Sequence, residues 1–87
     1  MNCRTLEYIV AVKETGSVLG AAKACNVTVG TISGQITRLE TYLGVKIFNS
    51  RAHPAQIDQN AADLYEMIRS TVNNLRAIKQ LAAYSTQ

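Results

Sequence analysis

The feature that most constrains the fold is the last third of the chain, where apolar residues recur at alternating steps of three and four. This spacing places them in one stripe along a helix. A helix from Gln59 to about Tyr84 would contain about 26 residues and be about 39 Å long. We expect that burying this stripe within one subunit of 87 residues is geometrically impossible. The pattern therefore predicts a coiled-coil-like homodimer. The predicted interface consists of Ala61, Leu64, Tyr65, Ile68, Val72, Leu75 and Ile78.

Helix-capping residues divide the preceding part of the chain into three shorter helices. These run from Asn2 to Thr15, from Ser17 to about Cys25, and from Thr28 to about Leu43. Each begins at a residue whose side-chain oxygen can accept a hydrogen bond from the first turn. Gly16 and Gly44 fit the left-handed position that commonly ends a helix.

The third of these helices has one apolar and one polar face. The apolar stripe consists of Ile32, Ile36, Leu39 and Leu43. The polar face carries Thr31, Ser33, Gln35 and Arg38. We expect the apolar stripe to point inward, whereas Tyr8, Tyr42 and Phe48 are interpreted as further core or packing residues.

The sequence also predicts two short strands, Val45 to Phe48 and Ala55 to Ile57, which are joined by a loop and together form a wing. Asp58 is predicted to cap the last helix. The expected fold is mostly α. Residues 1–58 form a winged helix-turn-helix of three helices plus a short two-stranded wing, and residues 59–87 form a long linker and dimerisation helix.

In a helix-turn-helix, the second helix enters the major groove of DNA and its N-terminal residues contact base edges. Thr28, Thr31, Ser33 and Gln35 are candidates for such contacts, because their side chains both donate and accept hydrogen bonds. Arg38 is better placed for a phosphate, with a merely solvated charge as the alternative. The pattern alone leaves function open, since many three-helix units with polar faces bind nothing.

Composition excludes several classes of protein. The net charge of +3 is compatible with nucleic-acid binding without requiring it. One histidine, no catalytic carboxylate pair, no phosphate loop and no Cys/His cluster predict a protein that is not an enzyme and needs no metal or cofactor. Cys3 and Cys25 are expected to be reduced. We find neither a signal peptide nor about 18 consecutive apolar residues, which predicts a soluble, cytoplasmic protein without a membrane partner.

Several motifs together resemble the N-terminal DNA-binding domain of LysR-type transcriptional regulators, over residues 2 to about 83. The similar segments are 2–8, Gly16-Ser17, Ala21-Ala22 and 28–45. The most specific ones are TISGQI at 31–36, RLE at 38–40 and LGVKIF at 43–48, which are closest to the peroxide-sensing branch. The resemblance implies a winged helix-turn-helix dimer, held together by a long helix that in the family leads to an effector-sensing domain. That domain is absent here, so we expect either an excised fragment or a naturally short relative.

The start of the third helix departs from the family pattern. Where the family favours Ser-Gln-Pro, this chain has Thr28-Val29-Gly30. Val29 removes an amide and leaves at most a methyl contact to thymine. Gly30 loosens the turn.

The wing departs from the pattern as well. The family's arginines align with Ser50, next to Arg51, and with His53. Arg51 is a wing contact or a plain surface charge, and His53 is a minor-groove contact or an exposed loop residue. Asp58 places a negative charge near the expected phosphates. These changes predict weaker or altered DNA binding on an unchanged fold.

Two functions follow as hypotheses. The first is sequence-specific binding of double-stranded DNA by a homodimer that regulates transcription. The second is a short interaction module that pairs its long helix with a full-length regulator of the same family and antagonises it. The predicted DNA-binding residues are Thr28, Val29, Gly30, Thr31, Ser33, Gln35, Arg38, Ser50, Arg51 and His53.

Overall fold

A computed structural model describes residues 2–85 and has the predicted mostly helical architecture with a two-stranded wing. In chain order the elements are α1 (Cys3–Thr15), α2 (Val18–Cys25), α3 (Val29–Leu43), β1 (Phe48–Ser50), β2 (Gln56–Ile57), a 3-10 turn (Gln59–Ala61) and α4 (Ala62–Ser85). The two strands are antiparallel. Within residues 2–85, no helix is both long enough and apolar enough to cross a bilayer.

Local capping fixes the ends of the first three helices, as the sequence predicts. Each N-cap side chain accepts a hydrogen bond from a backbone amide three residues later. The pairs are Asn2 with Thr5 at 2.9 Å, Ser17 with Gly20 at 2.9 Å and Thr28 with Thr31 at 3.1 Å. Gly16 and Gly44 end α1 and α3 with φ angles of 92° and 68°, which glycine adopts without steric cost.

The wing begins later than predicted. β1 starts at Phe48 rather than Val45, because the Val45 amide donates to the Glu40 carbonyl at the end of α3 and the Ile47 amide donates to the Glu40 carboxylate. Phe48 pairs with Ile57 and Ser50 pairs with Gln56, so β1 carries one extra residue.

The prediction that Asp58 caps the last helix is also wrong in detail. Asp58 precedes the 3-10 turn, but its side chain makes no capping hydrogen bond. Its backbone is engaged instead: the Asp58 amide donates to the Ile47 carbonyl at 2.8 Å, and its carbonyl accepts from the Ala61 amide at 2.8 Å.

A single hydrophobic core joins the three-helix unit to the long helix. Ile9, Ile32 and Ile36 are completely buried at its centre. Tyr65, Ile68 and Val72 of α4 belong to the same cluster. On the surface, Arg76 and Lys79 of α4 form ion pairs with Glu14 and Glu7 of α1, at 3.3 and 3.6 Å.

This core contradicts the expectation that the stripe on the last helix cannot be buried within one subunit. Ala61, Tyr65, Ile68 and Val72 are buried in the subunit itself, so they offer no free surface to a partner. Leu64 and Leu75 are half-buried, whereas Ile78 is exposed.

Two further packing predictions are wrong. Tyr42 is 76% exposed rather than part of the core, and Leu43, at the end of the apolar stripe of α3, is 37% exposed. Tyr8 and Phe48 are buried as expected.

Candidate nucleic-acid interface

The first turn of α3 lies on the surface of the helix-turn-helix. Thr28, Val29, Gly30 and Thr31 are all exposed. The Thr28 hydroxyl oxygen accepts from the Thr31 amide and lies 2.8 Å from the Thr31 hydroxyl oxygen, with which it shares a hydrogen bond. The two hydroxyls predicted to contact bases are therefore bonded to each other.

The other two predicted base contacts, Ser33 and Gln35, lie on the flanks of α3 and are half-buried. The Thr5 hydroxyl donates to Gln35 Oε1 at 2.9 Å, which ties this side chain to α1. The Ser33 carbonyl accepts from Arg51 Nη1 at 3.3 Å on the side of the wing. Gln35 keeps its amide donors for a ligand, whereas the bond between Ser33 and the wing uses only the backbone carbonyl of Ser33.

Arg38 is exposed, and its guanidinium makes no hydrogen bond or ion pair among residues 2–85. It borders a groove of about 290 Å³ between α1 and α3, which Asn2 and Gln35 also line. A free guanidinium beside an open groove can bind a phosphate bidentately.

The free charge of the chain is unevenly distributed. Of nine lysine and arginine side chains, four form ion pairs within residues 2–85, namely Arg51, Arg69, Arg76 and Lys79. The five without an ion pair in this range are Arg4, Lys13, Lys23, Arg38 and Lys46. All five lie before the wing, so the helix-turn-helix unit carries the uncompensated positive charge that favours an anionic partner.

The wing arginine, Arg51, is turned inward against α3. Its guanidinium donates to the Thr37 hydroxyl at 3.0 Å and forms an ion pair with Glu40 Oε1. The second oxygen of Glu40 accepts from the amides of Ile47 and Phe48, at 2.8 and 3.3 Å. We call this group, Glu40 with Arg51 and the two amides, the wing latch. Because Arg51 is occupied in it, the geometry supports a positioning role for this residue rather than a direct phosphate contact.

The tip of the wing rests on the turn between α1 and α2. A Cβ atom added to Gly16 would lie 2.9 Å from His53 Cδ2, so the imidazole covers this glycine closely. The Arg51 carbonyl accepts from the Val18 amide at 2.8 Å, and the Gly16 carbonyl accepts from the Ala55 amide at 2.7 Å. Ser50 donates within the wing to the Ala52 carbonyl at 3.2 Å. His53 remains exposed.

Sequence reasoning missed the positioning residues Thr5, Thr37 and Glu40. Their roles depend on partners as far as 30 residues away in the chain, as for Thr5 and Gln35. The sequence offered one signal for these roles: Glu40, near the end of α3, lies only 11 residues before Arg51 of the wing.

A second apolar surface lies on α4, about a quarter turn from its buried side. It carries Leu64, Met67, Leu75 and Ile78, of which Met67 and Ile78 are 71% and 61% exposed. It continues into a mostly apolar groove of about 180 Å³ that also includes Leu39 and Leu43. We call this surface the α4 face.

Comparison with known proteins identifies the family. Residues 3–57 match the model of the bacterial regulatory helix-turn-helix protein, lysR family. The chain belongs to the LysR family. Within this family, a hydrogen peroxide-inducible genes activator of Haemophilus influenzae is 34% identical over 83 residues. The match covers 95% of this chain and 28% of that protein. The transcriptional dual regulator OxyR of Escherichia coli K12 is also 34% identical, over 95% of this chain and 27% of its own length.

Solved structures agree with this LysR assignment. The complex of the BenM DNA-binding domain with benA site 1 DNA is 25% identical and has a TM-score of 0.81, covering 97% of this chain and 98% of that domain. Full-length OxyR C199D from Pseudomonas aeruginosa has the same fold over all of this chain and 30% of that one, with a TM-score of 0.84 at 24% identity. The chain is therefore a LysR-type DNA-binding domain and spans just over a quarter of the length of these curated relatives.

Proposed function

We propose that this chain binds double-stranded DNA in a sequence-specific manner and thereby regulates transcription in the bacterial cytoplasm. The observation that carries the proposal is the free guanidinium of Arg38 on the exposed side of α3, within the unit that holds all five cations without an ion pair in residues 2–85. α3 enters the major groove, Arg38 binds a backbone phosphate, and the first turn of α3 faces the base edges. The protein lies on the nucleoid when it is bound.

The DNA-binding species is a homodimer. Leu64, Met67, Leu75 and Ile78 form an apolar face that the subunit covers only in part, and exposed apolar surface of this kind marks an interaction site. Pairing the α4 faces of two copies would bury it about a two-fold axis. Two recognition helices related by that axis contact a pseudo-palindromic site, whose half-sites lie about one DNA turn apart or a multiple of it.

The second candidate is an antagonist that pairs through the α4 face with a full-length LysR regulator. It is favoured by the bonding among the predicted recognition residues, since the Thr28 and Thr31 hydroxyls share a hydrogen bond and Gln35 accepts one from Thr5 of α1. An antagonist of this kind has a strong helix-mediated interface and poor affinity for DNA.

The two candidates are separated by selecting bound sequences from a mixed duplex library and measuring affinity across a salt series. We expect a palindromic motif and an affinity that falls steeply with salt. Arg38→Ala should lower affinity for all sequences and reduce the slope of log K against log[salt] by about 0.9 for each phosphate that the variant no longer neutralises.

Arg69→Ala is the matched control, because Arg69 lies on α4 and is already paired with Glu66. Dimers that select no motif and bind DNA only feebly would contradict the regulator and support the antagonist.

A further inference from the structure

Val29 stands out among the side chains at the start of α3. It is 42% exposed, and it is apolar in a region where the neighbouring polar groups are already bonded. The Thr28 hydroxyl oxygen bonds both the Thr31 hydroxyl and the Thr31 amide, so turning this side chain towards a base would give up the N-cap bond of α3. Val29 is thus the side chain of this turn that is exposed and has no polar bond to give up.

The helix surface beside Val29 is bare. Apart from its chain neighbours and the nearby helix backbone, a Cβ atom added to Gly30 would meet the Thr28 hydroxyl oxygen at 3.9 Å, and one added to Gly34 would meet no atom within 4 Å. Without side chains at these two positions, the backbone of α3 can approach the groove closely. A short side chain such as valine can then reach the floor of the groove.

We propose that Val29 is a specificity-determining residue and that it recognises the 5-methyl group of a thymine in each half-site. Among the four bases, thymine alone presents an apolar group in the major groove. The γ-methyl groups of valine bury this methyl group without needing a hydrogen-bond partner. This role of Val29 rests on the proposed DNA binding, and it identifies the thymine methyl group as the chemical feature by which the protein distinguishes sequences.

The test replaces single thymines of the selected motif with deoxyuridine, which removes only the methyl group and keeps every hydrogen-bonding atom. We expect one thymine per half-site to be sensitive. Burial of one methyl group corresponds to about a fourfold change in affinity, so replacing that thymine in both half-sites should weaken binding by about fifteenfold. Deoxyuridine outside the motif should change nothing.

Two variants complete the experiment. Val29→Ser, checked for folding by circular dichroism, should bind the thymine and deoxyuridine duplexes equally. Arg38→Ala should weaken binding to both duplexes by the same factor and leave their ratio unchanged, because a phosphate contact does not sense the base.

Two outcomes distinguish a failure of the Val29 contact from a failure of DNA binding itself. A wild-type protein that selects a motif but binds its thymine and deoxyuridine forms equally would overturn the role of Val29 and leave the DNA-binding function intact. A protein that selects no duplex sequence at all would overturn both.

Discussion

Replacing Glu40 with glutamine should release the wing from α3. Both carboxylate oxygens of Glu40 are used: one by Arg51, the other by the amides of Ile47 and Phe48. The amide of glutamine keeps one acceptor, loses the charge and turns the other position into a donor. Hydrogen bonds to charged groups contribute about 1.5–3 kcal/mol each, so we expect Glu40→Gln to cost about 2 kcal/mol of unfolding free energy. For a domain of this size that lowers Tm by about 8–16 °C.

The ion pair itself is measured by a double-mutant cycle of Glu40→Gln and Arg51→Gln, with urea unfolding followed by circular dichroism. The two side chains are 16% and 27% exposed, so solvent screens them only in part. We expect a coupling free energy of about 1–1.5 kcal/mol.

Glu66 and Arg69 form the matched control pair, at 2.8 Å but 60% and 51% exposed. Solvent screening and side-chain entropy should leave its coupling far smaller. If the Glu40 and Arg51 cycle gave no more coupling than this surface pair, the wing latch would not be a stabilising unit.

Two further predictions concern α4. Ile78→Glu places a charge in the α4 face and should shift the protein from dimer to monomer in sedimentation equilibrium, whereas Asn73→Glu, on an exposed side of the same helix, should leave the dimer intact. A monomeric wild-type protein would contradict the α4 face as the self-association surface. Burial, with a smaller contribution from the nearby Glu14, raises the pKa of Tyr65 above its ordinary value of 10.0. Because the Tyr65 pKa is higher in the folded protein than in the unfolded chain, the contribution of this titration to the unfolding free energy is fully present below about pH 10. It is lost as pH rises through the folded-state pKa. The stability difference between the wild type and Tyr65→Phe should therefore change only above about pH 10. A constant difference from pH 7 to pH 11 would contradict this assignment.

The location of the predicted site residues on α3 and in the wing could be predicted from the sequence, but their hydrogen-bond partners could not. Thr28, Thr31 and Gln35 lie at the N-cap or within α3 as predicted, yet their oxygen atoms have partners within the subunit. Arg51 lies in the wing as predicted, yet its guanidinium faces Glu40, 11 residues earlier. A pattern of residue types identifies groups that can donate or accept, whereas their partners depend on how the helices cross.

The helix boundaries were determined by the sequence itself, because a cap acts over three or four residues. Asn2, Ser17 and Thr28 each bond an amide three positions later, and Gly16 supplies the left-handed stop wherever the helix lies in space. The periodicity of α4 likewise predicted a helix with an apolar stripe. Only the tertiary structure decided what covers that stripe: packing against α1 buries Val72 completely, and the ion pair between Glu14 and Arg76 joins residues 62 positions apart. Local spacing specifies which residues share a helix face, but the neighbour that buries the face is set by contacts distant in the chain.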